Sequence, residues 1–137
     1  MKHSIDIRVY YEDTDAGGIV YHAQYLNFAE RGRTEFLRNI GFQCSDVHND
    51  LGLIFVVRKI EIDYLKTAHL DDLLQLETTI FEIKNSSFIM HQRAVRDGEV
   101  IADMKVIIVS VDTKEYKPVR LPKNIKEAFQ SYLETVK

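Results

Sequence analysis

The chain has 137 residues, 45% of them hydrophobic and 28% charged, with a formal net charge of −3. This composition predicts a single domain over residues 1–137 with its own apolar core, and it excludes a global electrostatic attraction to nucleic acid or acidic membranes. One cysteine, Cys44, rules out an intramolecular disulfide and suits a reducing compartment.

The N-terminal residues turn acidic before an apolar run can form, so no signal peptide is expected and the location is read as cytoplasmic. Ile5, Ile7 and Val9 alternate with Asp6, Arg8 and Tyr10 as in a half-buried strand. Residues 13–18, with two acids and a Gly-Gly step, break it. Apolar residues Leu26, Ala29, Phe36, Leu37 and Ile40 then recur at helical spacing over about residues 22–40. Gly41 stands where a left-handed cap would end that helix. Residues 42–52 are polar and irregular, with a short helical turn expected around 45–50.

Strand signals follow. Residues 53–57 form an apolar run that passes into Ile60, Ile62 and Tyr64 in alternation with charged residues. Leu74, Leu76, Thr78 and Ile80 alternate again, followed by residues 88–95 and 100–111, with Asp97 and Gly98 as a hairpin turn between them. Pro122 suits the first turn of a last helix carrying Ile125, Phe129 and Leu133. The longest apolar runs, such as 106–109, are too short to span a bilayer. One strand, one long helix, four strands and a short helix predict an α+β domain, its short connections favouring antiparallel pairing of successive strands.

The chemistry is concentrated at the strand-to-helix junction, in YYEDTDAGGIVYHAQYLNFAERGR. Glycines let the backbone approach a ligand closely, and the first turn of a helix presents N–H groups without intrahelical partners. A carboxylate placed just before that turn can attack a carbonyl held by those N–H groups, or activate water against it. Asp15 can equally cap the following turn, as Asp near Gly often does. His22 is either a solvent-facing helix-start histidine or a proton-handling group. Asp13 and Asp15 do not make a calcium loop, because the twelfth position would be Gln24 and not a bidentate glutamate. Neither a zinc spacing nor a G-x-S-x-G elbow is present. Glu30 and Arg33, one turn apart, are expected to form an ion pair.

The segment YYEDTDAGGIVYHAQYLNFAERGRTEFL closely resembles the hot-dog-fold acyl-CoA thioesterases, in the YbgC branch associated with the Tol-Pal system. FVVRKIEIDYLKTAHLDDLLQLET and VDTKEYKPVRLPKNI look like the same branch, so the resemblance covers nearly the whole chain. It implies an antiparallel sheet of five to six strands wrapped around one long central helix. It also implies hydrolysis of acyl-CoA thioesters, with a short acyl chain expected, without metal or organic cofactor.

The family's catalytic aspartate falls on Asp15, its Y-H histidine on His22 and the tyrosine before the acid pair on Tyr11. Gly18, Val20 and Tyr21 would then border the thioester, with backbone N–H groups near residues 20–22 on its carbonyl. Arg58, Lys59, Lys66 and Lys84 are candidates for the coenzyme A phosphates, along with Asn85, Ser86 and Ser87, although Asn85 and Ser86 stand where distant relatives carry basic residues. The resemblance further implies a homo-oligomer, a homotetramer built from dimers, with sites at dimer interfaces. Phe55, Val57 and residues 85–88 would wall the acyl chain from the neighbouring subunit. Acyl carrier protein or phospholipid-synthesis enzymes are possible partners, and a partner-binding protein with incidental hydrolysis is one rival reading. A hot-dog dehydratase is the other; it wants an acid donated from the helix itself.

Overall fold

In the computed structural model, described over residues 1–134, the elements run in this order. Strand β1 spans His3–Arg8, helix α1 Gln24–Asn39, helix α2 Cys44–Leu51 and strand β2 Leu53–Tyr64. Strands β3 (Leu73–Ile83), β4 (Ser87–Arg96) and β5 (Glu99–Asp112) follow, and then helix α3 (Lys123–Gln130). The five strands form one antiparallel sheet in the order β1-β3-β4-β5-β2. Strands β3, β4 and β5 pair in succession as expected. Strand β2 does not pair with β3; it crosses to the far side of the sheet and pairs with β5.

Alternation decides which face of each strand is buried. Leu74, Leu76, Thr78 and Ile80 of β3, Met90, Gln92 and Ala94 of β4, and Met104 and Val106 of β5 are buried beneath the central helix. Helix α1 answers with Tyr25, Phe28, Ala29, Gly32, Phe36 and Leu37, spaced three and four apart. Leu26, expected on that stripe, is exposed; the stripe enters through Tyr25 and Phe28 instead.

The helix ends in a Schellman motif. Phe42 N–H reaches Leu37 C=O at 2.8 Å, Gly41 N–H reaches Arg38 C=O at 3.1 Å, and Gly41 takes φ 95°. The β4–β5 turn has φ 51° at Asp97 and 80° at Gly98, the pair of left-handed residues a type I′ hairpin requires.

Helix α1 lies unusually close to the sheet at Gly32. A Cβ built there would stand 2.4 Å from Leu76 Cδ2 and 2.9 Å from Gln92 Nε2, and both side chains are fully buried. Gln92 Nε2 donates to Ala29 C=O of the helix at 3.0 Å and to Thr78 Oγ1 at 3.1 Å.

After α3 the chain turns at residues 131–132 and then meets the edge of β3 beyond β1. Leu133 bridges Ile80 in parallel, and Glu134 N–H donates to Ile80 C=O at 2.8 Å. Glu134 Oε2 accepts Thr79 Oγ1–H at 2.6 Å and lies 2.7 Å from His91 Nδ1, while His91 Nε2 lies 2.6 Å from Asp103 Oδ1. Burial alone would raise the Glu134 carboxyl. The hydrogen bonds from Thr79 and His91, with the charges of His91 and Arg93, outweigh it and hold the carboxyl below its ordinary value.

Two outcomes follow. Gly32→Val should lower the unfolding free energy by about 1–3 kcal/mol through overpacking; an unchanged urea midpoint would show that the helix can simply lift. A carboxyl depressed in the fold stabilises it above the unfolded pKa and loses that contribution as pH falls through the folded one. Glu134→Gln should therefore be less stable than the parent at neutral pH, and should lose less stability on acidification through the glutamate range near pH ~4.3. Parallel pH profiles of the two urea midpoints would exclude that linkage.

Candidate active site

Asp13 closes the junction between β1 and α1. It is buried, with Oδ2 accepting Tyr10 N–H and Oδ1 accepting Gln24 Nε2–H, both at 2.8 Å, while its own carbonyl takes Tyr21 N–H at 2.9 Å. The loop it closes is a small hairpin. Asp15 N–H donates to Ile19 C=O at 2.9 Å, Gly18 N–H returns to Asp15 C=O at 3.0 Å, and Gly18 carries φ 81°. That is a three-residue turn with glycine at its left-handed position.

Asp15 sits at the mouth of this hairpin, exposed. Its Oδ1 accepts Gly17 N–H at 2.8 Å, so the turn-capping role read from sequence is present. Its Oδ2 has no hydrogen-bond partner among the described residues. One oxygen anchors the carboxylate and the other is presented outward.

A recess of about 280 Å³ lies beside it, lined by Asp15, Val20, His22, Tyr25, Tyr64 and Lys66 among others. Tyr64 donates its hydroxyl to His22 C=O at 2.9 Å. The His22 ring packs on Tyr21 at 4.6 Å and edge-on to Tyr64 at 6.4 Å, and Tyr25 meets Tyr64 edge-on at 5.6 Å. Burial, the largest effect, raises the Tyr25 hydroxyl above its ordinary value and keeps it protonated. Tyr25 and Tyr64 were not singled out as site residues from the sequence. Tyr64 did carry a signal, as an aromatic ending the alternation of β2.

Two of the amides expected to face the thioester are already paired within the chain. Val20 N–H is committed to Ala68 C=O at 2.8 Å, Tyr21 N–H to Asp13 C=O, and Gln24 N–H to Tyr21 C=O at 2.8 Å. Helix α1 begins at Gln24 with no side-chain cap at Ala23. Among the described residues, the N–H groups of His22 and Ala23 have no partner and are free to polarise an oxygen, as is that of Tyr25 in the first turn.

Tyr11 is not among the residues that line the recess. It rides on a single 3-10 turn over Tyr11–Asp13, is 81% exposed, and uses its carbonyl to accept Thr14 N–H and Oγ1–H. Lys66 lines the recess and pairs with Glu99 at 2.6 Å. Arg58 falls at the bulge of β2, and Lys59 stands 3.7 Å from Glu61 on the same edge.

Residues 84–87 lie at the opposite end of the sheet. Ser87 and Val56 both register with Val109, whereas Tyr64 registers with Ala102, so eight residues of β2, about 26 Å, separate them within one chain. Lys84 stands 3.5 Å from Glu82; the carbonyls of Asn85 and Ser86 accept Leu121 and Ser110 N–H, and that of Ser87 accepts Lys84 N–H.

At that end a second cavity of about 260 Å³ opens between α1, α2 and the sheet. Glu30, Arg33 and Thr34 line its helix wall, and Phe55, Val57 and Phe88 line the apolar side. The expected Glu30–Arg33 ion pair does not form among the described residues; Arg33 Nη1 donates to Gln92 Oε1 at 3.2 Å instead. Gln92 points its acceptor there because its amide nitrogen is held by Ala29 and Thr78.

Among the described residues no group of His, Cys, Asp and Glu is placed to hold a metal ion, and no helix is long and apolar enough to cross a membrane.

Comparison with known proteins agrees with this geometry. The acyl-CoA thioesterase YbgC of Haemophilus influenzae is 46% identical over 126 residues, covering 92% of this chain and 93% of that protein. The acyl-CoA thioester hydrolase YbgC of Escherichia coli O157:H7 is 42% identical over 125 residues, covering 90% and 92%. The crystal structure of a probable thioesterase from Bartonella henselae superposes with a TM-score of 0.85 at 40% identity, covering 89% of this chain and all of that one. A model of the thioesterase-like superfamily matches residues 9–129. With a five-stranded antiparallel sheet packed on one long helix and an acid-bearing hairpin at that helix's start, the chain belongs to the thioesterase-like superfamily and has the hot-dog fold of its relatives.

Proposed function

We propose that this protein hydrolyses acyl-CoA thioesters to the free acid and coenzyme A. The observation that carries the reading is the half-anchored carboxylate of Asp15, with Oδ1 tied to Gly17 and Oδ2 unpartnered among the described residues, in one recess with His22. The thioester carbonyl accepts the N–H groups of His22 and Ala23. Asp15 takes a proton from water as the oxygen adds to the carbonyl carbon. The tetrahedral intermediate, its charge held by those amides, then expels the thiolate, which takes up the proton. The His22 ring orients the water or returns the proton. This route needs neither metal nor organic cofactor. A dehydratase reading is less well supported, since Asp15 lies in the loop before α1 and no carboxylate of α1 lines the recess.

The site is completed by a second copy. Strand β2 is a sheet edge with Val56 and Val57 about two-fifths exposed and Tyr64 half exposed, and an apolar edge of this length invites pairing. Two-fold antiparallel pairing of β2 edges sets the Tyr64 end of one chain beside the 54–57 end of the other. Each Asp15 recess then faces the partner subunit's cavity, with the partner subunit's Lys84 and Ser87 close by for the coenzyme A end. Resemblance to the YbgC branch supports the rest of the reading: a cytoplasmic homotetramer of such dimers in the Tol-Pal context, with acyl carrier protein or phospholipid-synthesis enzymes as partners.

Asp15→Asn keeps an oxygen for Gly17 but removes the base, so kcat should fall by about two to four orders of magnitude with little change in stability. Asp13→Asn faces an amide NH2 toward one of its two donors, and should instead cost about 1–3 kcal/mol of stability. Thiol-release kinetics beside urea denaturation separate the two, and a fully active Asp15→Asn would refute the assignment. Mixing Asp15→Asn subunits with Thr34→Trp subunits, whose cavity is filled, should restore one working site per mixed dimer. Two inactive parents that stay inactive when mixed would rule out the composite site.

A further inference from the structure

Arg33 is a half-buried guanidinium on the wall of the second cavity. Such a group carries five N–H donors. Among the described residues its one hydrogen-bond acceptor is the neutral Gln92 Oε1 at 3.2 Å. Burial is the larger influence and lowers its pKa, while the charge of Glu30 works against that. Glu30 lines the same cavity but forms no ion pair with Arg33. Its remaining donors are left open on the cavity wall, available to an acceptor from outside the chain.

The helix wall thus offers a strong donor in Arg33 and an acceptor in Glu30, facing an apolar wall of Phe55, Val57, Phe88 and Met90. Phe55 and Phe88 already meet each other edge-on at 5.4 Å. A plain hydrocarbon would leave Arg33 unmatched, and a second carboxylate would meet the charge of Glu30. A hydroxyl suits both groups, because its oxygen can accept from Arg33 and its hydrogen can be donated to Glu30, which lines the same cavity from its exposed side. A cavity of ~150 Å³ holds a benzene molecule, so one of about 260 Å³ takes an acyl chain of roughly six to ten carbons.

Building on the thioesterase reading, we infer that this cavity selects an aliphatic acyl group of that length ending in a hydroxyl, with Arg33 and Glu30 as the residues that read the hydroxyl. It extends the short chain expected from the sequence to a medium one with a polar end.

The test uses three coenzyme A thioesters with the same six-carbon chain: hexanoyl, omega-hydroxyhexanoyl and adipoyl. Wild-type enzyme should favour the hydroxylated chain over hexanoyl by about tenfold or more in kcat/KM, with adipoyl the poorest. Arg33→Met and Glu30→Gln should each pull the hydroxyl-to-hexanoyl ratio toward one; taken within one preparation, that ratio is independent of how much enzyme is folded. Active wild-type enzyme with a ratio near one, a preference for adipoyl, or a ratio unmoved by Arg33→Met overturns the inference alone. No thiol release from any of the three, together with none from shorter acyl-CoAs, overturns the thioesterase reading and this inference with it.

Discussion

The close seat of α1 on the sheet governs the placement of everything else. A helix carrying a side chain at position 32 could not come within reach of Leu76 and Gln92, and without that approach Gln92 could not bond Ala29 C=O. The buried amide is a polar group in an apolar layer, tolerable because both its oxygen and its nitrogen are used. Its nitrogen bonds hold the helix backbone to β3 and β4, and its oxygen sets the direction of Arg33. One glycine and one glutamine therefore connect the packing of the core to the chemistry of the cavity beside it.

From that seat the helix start is placed with equal economy. Asp13 and Asp15 are two residues apart and chemically identical, yet their environments separate their roles. Asp13 is inside, with both oxygens satisfied, and it ties the end of β1 to the first residue of α1 through Tyr10 and Gln24. Asp15 is outside, with one oxygen satisfied by Gly17. A Cβ at position 17 would come 3.2 Å from Asp15 Oδ1, so glycine there keeps room for the carboxylate as well as for the turn.

The strand order has a functional consequence. Because β2 crosses to pair with β5, its far side is an edge, and the recess at its Tyr64 end and the cavity at its 54–57 end open along the same seam. Within one chain these are far apart; two-fold pairing of that edge is what would bring them together.

Local pattern determined a good deal by itself. Alternation named the strands, helical spacing with Gly41 ended α1 correctly, and Asp97–Gly98 marked the hairpin, since these depend on periods and backbone preferences that neighbouring residues carry. The family motif likewise marked Asp15 and His22, which the structure places at one recess. The fold alone decided the crossing of β2, because pairing depends on which edges are free after the meander of β3, β4 and β5 has formed. It decided that Tyr11 is left exposed outside the lining of the Asp15 recess, that Val20 and Tyr21 spend their amides on Ala68 and Asp13, and that Arg33 turns to Gln92 in place of Glu30. Each of these turns on a hydrogen-bond partner distant in sequence or on the exact point at which a helix begins, and neither is written in the spacing of residues along the chain.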